Sequence, residues 1–113
     1  MTRYLISFDD GAMDIPAEDL PEVSDASHEV VREAQEAGVW VFGGGVERQR
    51  ASVVATDGTV TNGPYPERKA VLGGFSIIDV PTREDALEWA AKLAGACRCA
   101  QEVREIMPDD PIT

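Results

Sequence analysis

The sequence predicts an α+β fold in which an antiparallel sheet carries two helices on one face. Three observations predict it: a first segment with the period of a strand, two amphipathic helical segments that each follow a β-prone run, and an Asp-Gly turn between two short β-prone runs. The predicted order, β-α-β-(β-hairpin)-β-α-β, is that of a ferredoxin-like sandwich. At 113 residues, we expect a single domain over 1–113.

The first strand and helix follow from their apolar periods. Residues 3–8 place Tyr4, Ile6 and Phe8 on one face of a strand. The segment SDASHEVVREAQEAG then has the period of an amphipathic helix, and Gly38 is the predicted C-terminal stop. The apolar stripe of this helix is predicted to comprise Val23, Ala26, Val30, Ala34 and Ala37.

The middle of the chain predicts a second strand and a hairpin. The second strand is expected at 39–42, where it meets the run Gly43-Gly44-Gly45. Asp57-Gly58 is typical of a two-residue hairpin turn, so the third and fourth strands are expected to pair. The glycines at 43–45 and 73–74 lack the spacing of phosphate-binding loops, which favours a bulge or a close backbone approach.

The last third predicts strand FSIIDV, a second helix and a final strand. Thr82 is expected to cap the helix in a reciprocal pair with Asp85. The predicted buried stripe comprises Ala86, Ala90, Leu93 and either Cys97 or Ala94. Glu88 and Lys92 form an i, i+4 pair on the exposed side. CRCAQEVREI is interpreted as the last strand, with Cys97 and Cys99 as reduced, structural thiols on one face.

One face of the predicted sheet has no helix to cover it. Apolar side chains alternate onto that face at Phe42, Val54, Phe75 and Ile77. Because a short chain buries a small share of its surface, pairing of two such sheets is the favoured solution. We therefore expect a homodimer that forms an α/β barrel.

Composition limits the partners and the compartment. The chain has 10 basic and 21 acidic residues, a net charge of −11, which disfavours direct contact with nucleic acid or an anionic membrane surface. No segment approaches the roughly 20 apolar residues of a membrane span, and the first segment is too short for a signal peptide. A cytoplasmic protein is expected. With one histidine and an isolated C-x-C pair, the sequence predicts no metal site and no cofactor.

The segment NGPYPERKAVLGGF, followed by IIDVPTREDALEWAAK, resembles the YCII-related family, in the branch known for its DGPF motif. The resemblance covers nearly the whole chain. It implies a dimeric α/β barrel with a cleft between the sheet and the motif loop, and it implies little about the reaction.

The chain departs from the family pattern at two places. Asn62 stands where the motif begins with aspartate, and Tyr65 stands where it ends with phenylalanine, so the position of Asn62 is interpreted as mainly architectural. Short relatives use a histidine in the first helix, paired with an acidic residue, as a proposed catalytic dyad. The equivalent position here is Ser27, and His28 is predicted on the helix side opposite the apolar stripe.

The charged residues around the motif loop form the candidate site. Four of the ten basic residues, Arg48, Arg50, Arg68 and Lys69, fall between positions 48 and 69 of an otherwise acidic chain. Together with Asn62 and Tyr65, they are the predicted ligand-binding residues, because arginine and lysine bind carboxylate or phosphate groups. The alternative is that these charges pair with Glu47 and Glu67 on a solvated rim.

Two functions remain open on the sequence. The first is a site that binds or transforms a small polar or anionic metabolite near the 61–75 loop, with Glu67 or His28 as acid or base. The second is a non-catalytic regulatory or protein-interaction dimer that uses the acidic segment 9–22 as its contact surface. Under the first hypothesis Arg50, Tyr65, Glu67 and Lys69 line one enclosed cavity, and under the second they point apart.

Overall fold

The structure is a computed structural model that describes residues 1–9, 11–46, 52–62 and 72–108. Its elements are β1 (Thr2–Asp9), α1 (Leu20–Glu36), β2 (Trp40–Gly45), β3 (Ser52–Val54), β4 (Val60–Asn62), β5 (Leu72–Val80), α2 (Arg83–Cys97) and β6 (Glu102–Glu105). Four strands form an antiparallel sheet in the order β2-β5-β1-β6, and β3 pairs with β4 in a separate sheet. This is the predicted ferredoxin-like arrangement, with a hairpin inserted between the second and third strands of the main sheet.

The core lies between the two central strands and α2. The alternation predicted for β1 is confirmed, since Tyr4 and Ile6 are buried and Phe8 is half-buried on the same face. Their neighbours on β5 are Ile78 and Val80, which are both 1% exposed. The helix contributes Ala86, Ala90 and Leu93 to the same cluster. Alternate residues of the central strands therefore fix which sheet face the helices cover.

The first helix begins earlier than the sequence predicted and buries a different face. It starts at Leu20, with Pro21 in the first turn, where the fixed φ of proline suits a helix. Val23 and Ala34 are buried and Val30 is half-buried, but Ala26 and Ala37 are exposed, so this part of the predicted stripe was wrong. The buried face is centred nearer to Ser27 and Val31, which are both half-buried.

The second helix is capped as predicted. The Thr82 hydroxyl accepts from the Asp85 backbone N–H at 3.1 Å and donates to the Asp85 carboxylate at 2.9 Å. Lys92, expected to pair with Glu88, instead lies 3.2 Å from Glu33 of α1 and 4.9 Å from the centre of the Trp89 ring. Because α1 packs directly beside α2, this interhelical pair replaces the local one.

The interpretation of the Cys-Arg-Cys segment as a strand is wrong. Cys97 is the last residue of α2, and it is the cysteine rather than Ala94 that completes the buried stripe. Arg98 ends the helix with a left-handed φ of 57°, and its guanidinium lies 2.9 Å from the Asp19 carboxylate before α1. The helix therefore continues through the first cysteine, and the last strand begins only at Glu102. Both thiols are free in the structure.

The glycine run belongs to β2 rather than following it. Gly43, Gly44 and Gly45 pair with Ser76, Phe75 and Gly74 of β5. The β1–β5 ladder passes from Phe8–Gly74 to Asp9–Leu72 and thus skips Gly73, which agrees with the predicted irregularity at the second glycine pair. The same strands leave a sheet face without a helix, where the Phe42 side chain is 63% exposed and its ring centre is 6.0 Å from that of Phe75.

The predicted hairpin forms, but through a longer turn. Ala55 N–H donates to the Thr59 carbonyl and Gly58 N–H donates to the Ala55 carbonyl, which encloses three residues. Gly58 has a φ of 89°, whereas Asp57 is not among the residues with positive φ in the described part of the chain. A two-residue turn of the expected type needs positive φ at both positions, so a three-residue loop with one left-handed glycine forms instead.

Neither helix within the described residues is long and apolar enough to cross a membrane.

Candidate functional site

A cavity of about 350 Å³ lies between α1 and the sheet, at the end where the glycines of β2 and β5 meet. Residues of α1, α2, β1, β2 and β5 line it, and Met13 contributes from the segment before α1. The lining residues are Phe8, Met13, Ser27, His28, Val31, Trp40, Gly43, Gly44, Gly45, Phe75, Ser76, Leu93 and Cys97. This volume falls in the lower part of the range of small-molecule pockets.

The cavity owes its floor to the absence of side chains on β2. Gly43 and Gly45 lie on the face of β2 that Trp40 shares, whereas Gly44 lies on the opposite face of the sheet. A Cβ at Gly43 would lie 2.5 Å from the Phe75 carbonyl oxygen, so glycine is required for the close approach of the strands. A Cβ at Gly45 would meet nothing within 4 Å, which is the open space above the floor.

Hydroxyl and imidazole side chains line the cavity from two elements, with Ser27 and His28 on α1 and Ser76 on β5. Ser27 Oγ donates to the Ser24 carbonyl at 3.0 Å, and His28 Nδ1 lies 3.3 Å from Ser24 Oγ. Both Ser27 and His28 line the cavity, although His28 is otherwise exposed. The bond at Nδ1 leaves Nε2 of the imidazole as the nitrogen available to a bound molecule.

Cys97 lines the cavity from the end of α2. Burial raises the pKa of its thiol, and the nearby Cys99 raises it further. The thiolate is the nucleophilic form of cysteine, and a raised pKa keeps Cys97 as the thiol at neutral pH. Cys97 therefore acts here as a small apolar wall residue rather than as a nucleophile.

The structure describes two of the eight predicted site residues, His28 and Asn62. His28 does reach a cavity, at the rim and beside Ser27, because the buried face of α1 is rotated toward these residues relative to the predicted stripe. Asn62 is exposed at the end of β4 and accepts a hydrogen bond from Ser52 Oγ at 2.8 Å, which is the architectural contact that the sequence suggested. The other six, Arg48, Arg50, Tyr65, Glu67, Arg68 and Lys69, lie outside the described residues.

The sequence analysis did not identify the residues that form the cavity. Trp40, Gly45, Ser76 and Cys97 were each assigned to packing, to backbone geometry or to no role. One signal was present: three successive glycines in a strand remove side chains from both sheet faces, and that leaves room for a ligand. Ser27 was marked only through its position in the family pattern.

In residues 1–9, 11–46, 52–62 and 72–108, no three side chains of His, Cys, Asp or Glu converge in a way that could hold a metal ion.

A family model described as YCII-related domain matches residues 3–110. No curated protein matches the chain. One similar solved structure is the 5-chloro-2-hydroxyhydroquinone dehydrochlorinase TftG from Burkholderia phenoliruptrix AC1100, in complex with 2,5-dihydroxybenzoquinone. It is 11% identical, each chain is covered to 98%, and the TM-score is 0.49. A likeness of this size does not extend to function.

Proposed function

Because the chain belongs to the YCII-related domain family, we propose that it binds or transforms a small molecule in the cavity between α1 and the sheet. One observation carries the proposal: the open backbone at Gly45 lies in the same cavity as Ser27 and His28. A concave, largely apolar space with a few hydrogen-bonding groups is the usual form of a small-molecule site.

In the catalytic form of the proposal, His28 transfers a proton to or from the bound molecule. Its Nδ1 is held by Ser24 Oγ at 3.3 Å, which orients the ring, and Nε2 is the atom that meets the ligand. His28→Gln keeps a hydrogen-bonding side chain of similar length but removes the transferable proton. We expect this variant to retain binding and to lose turnover.

The proposal includes the charged residues predicted around the 61–75 loop. Segments 47–51 and 63–71 directly follow β2 and precede β5 in the sequence, and these are the strands whose glycines form the cavity floor. Arg48, Arg50, Tyr65, Arg68 and Lys69 are proposed to bind a polar or anionic part of the ligand, with Glu67 as a further acid or base.

The proposal also includes a homodimer formed through the uncovered sheet face. Leu5, Phe42, Phe75 and Ile77 lie on this face in register across three strands. Phe42 is 63% exposed, and the other three are half-buried. A contiguous apolar surface of this kind favours burial against a second copy.

A thermal-shift screen with two matched variants tests the site. Gly45→Leu places a side chain in the open space of the cavity, and Gly95→Leu places the same side chain on the exposed surface of α2, outside the cavity lining and also without a contact within 4 Å of the new Cβ. A ligand at ten times its Kd stabilises the native state by about 1.4 kcal/mol and raises Tm by roughly 5 °C. We expect this shift in the wild type and in Gly95→Leu, and its loss in Gly45→Leu.

The screen covers small carboxylates, phosphates, alcohols, phenols and aromatic acids, and it includes Lys69→Ala. Loss of the shift in Lys69→Ala supports the extension of the site to the loop. If no compound distinguishes Gly45→Leu from Gly95→Leu, the cavity is not a ligand site. The alternative then gains weight: a non-catalytic dimer that contacts a regulatory or protein partner through the acidic segment 9–22. Asp14 and Glu18 are exposed in that segment.

A further inference from the structure

The walls of the cavity are apolar, and its floor is flat. Phe8, Trp40, Val31 and Leu93 line it with hydrocarbon and aromatic surface. The Trp40 ring packs over Gly43, where an added Cβ would lie 2.9 Å from Trp40 Cη2, so the open part of the floor is the peptide backbone at Gly45. A flat apolar body matches such a space, because ring faces pack on peptide planes and on aromatic side chains over a large area. The volume of about 350 Å³ has room for one substituted ring.

The hydrogen bond of Ser27 determines which group a ligand can present to Ser27 itself, and Ser76 of β5 is the other hydroxyl among the described lining residues. A serine hydroxyl has one hydrogen, and Ser27 gives it to the Ser24 carbonyl at 3.0 Å. Ser27 Oγ can therefore only accept from a ligand. A carboxylate or a phosphate dianion has no hydrogen to donate, so it would place its oxygens against the lone pairs of Ser27. A hydroxyl group donates to Ser27 and can also bond to Nε2 of His28.

Charge also opposes an anion at this position. Among the described residues that line the cavity there is no lysine or arginine. The chain carries a net charge of −11, and an anion in an apolar cavity without a cation is costly to desolvate.

We infer that the part of the ligand that occupies this cavity is an uncharged ring bearing a hydroxyl group, with the ring on the open backbone at Gly45 and the hydroxyl at Ser27 and His28. The inference rests on the proposed function and narrows it. The hydroxyl donates its hydrogen to Ser27 Oγ, and its oxygen meets the imidazole of His28. Any anionic group of the full ligand lies outside the described lining.

Three small probes with the same ring test the inference: phenol, anisole and benzoate. Phenol carries the donor, anisole has the oxygen without the hydrogen, and benzoate replaces the hydroxyl with a charge. Binding is followed by thermal shift on the wild type and by fluorescence of Trp40 in a Trp89→Phe background, because Trp40 lines the cavity and Trp89 does not.

We expect phenol to bind at least about tenfold more tightly than anisole or benzoate. Ser27→Ala removes the acceptor, so it should weaken phenol several-fold while leaving anisole unchanged. Gly45→Leu should abolish phenol binding, and Gly95→Leu, on the exposed surface of α2 and outside the cavity lining, should not. These two glycine variants separate binding in the cavity from binding elsewhere.

Two outcomes would overturn the inference, and they are distinguishable. If benzoate or inorganic phosphate binds more tightly than phenol and Gly45→Leu blocks it, the cavity is a ligand site for anions, and only the ligand class is wrong. If no probe, and no compound of the broader screen, binds in a way that depends on Gly45, the proposed function fails together with the inference.

Discussion

Cys97 joins the core of the protein to the candidate site, since its side chain completes the buried stripe of α2 and also lines the cavity. Burial raises the pKa of its thiol above the ordinary value, and Cys99 adds to the effect. The pKa of Cys99 is itself raised by burial, although its bond from Gln101 acts in the opposite direction. Both groups therefore favour the protonated form in the native state.

A pH dependence of stability follows from these pKa shifts. Each thiol has a folded-state pKa above its unfolded value, which is roughly 8.5. The contribution of the thiol to the free energy of unfolding is therefore fully present below its unfolded pKa and is lost as the pH rises through its folded-state pKa. We expect the free energy of unfolding, measured in urea, to fall from about pH 8 upward. Cys97→Ala should reduce this alkaline loss, and Cys99→Ala should reduce it less. If the free energy of unfolding of Cys97→Ala falls with pH as steeply as that of the wild type, the alkaline loss of stability does not come from Cys97.

Ser27 and His28 show how accurately the sequence predicts the position of a single residue in the fold. The family pattern identified Ser27 as the position equivalent to a catalytic histidine, and the structure has Ser27 in the cavity. His28 was predicted opposite the apolar stripe from its angle to Val30, which is half-buried, and His28 is exposed at the rim of the cavity. The stripe also included Ala26 and Ala37, which are exposed, because alanine is small enough to lie on either side of a helix and therefore defines the buried face poorly.

At the scale of elements, the sequence predicted which helices and strands form better than it predicted the residues at which they begin and end. The capping pair Thr82–Asp85 and the alternation of β1 depend on local chemistry, and both are confirmed. The extension of β2 through three glycines was not predicted, because the strand propensity of glycine is low and only the ladder with β5 makes it extended. The end of α2 at Cys97 likewise depends on a left-handed Arg98, a conformation that is uncommon for arginine.

The glycines of β2 differ in what a side chain would meet, and this predicts different stabilities. At Gly43 a Cβ would lie 2.5 Å from the Phe75 carbonyl oxygen and 2.9 Å from Ser76 Cα, which are backbone atoms of the paired strand. Gly43→Ala should therefore lower the free energy of unfolding by about 1–3 kcal/mol. Gly44→Ala is the matched control, because its Cβ would meet nothing within 4 Å. Urea unfolding of the two variants measures the difference, and equal stabilities would show that β2 and β5 are further apart.

At the scale of the whole molecule, connection rules were sufficient to predict the sheet. Two β-α-β units with a hairpin between them lead to the order β2-β5-β1-β6, which is observed. The cavity was not predictable in the same way, because it arises where residues distant in sequence meet: Ser27 of α1, Gly45 of β2 and Cys97 of α2. A pattern within one segment contains no information about such a meeting.

The overall dimensions bear on assembly. The molecule measures 47 × 43 × 18 Å, and its radius of gyration is 15.7 Å, compared with about 13 Å for a compact chain of this length. A thickness of 18 Å corresponds to one layer of helices on one sheet, so the helices of the described residues cover only one sheet face. Phe42 stands on that face with 63% of its surface exposed.

A second copy on this face would bury Phe42 and Phe75, which predicts the effect of adding charge there. We expect the wild type to have twice the mass of the chain by light scattering, and Phe42→Asp to weaken the dimer at least about tenfold, because a buried, unpaired carboxylate is costly. Leu87→Asp adds the same charge at a 44%-exposed apolar residue of α2 and should leave the dimer intact. A monomeric wild type at high concentration, or equal effects of the two variants, would rule out the sheet face as the interface.

Dimerisation through this face would leave the cavity on the helix side of each sheet accessible, so Phe42→Asp should still bind the ligand that Gly45→Leu excludes.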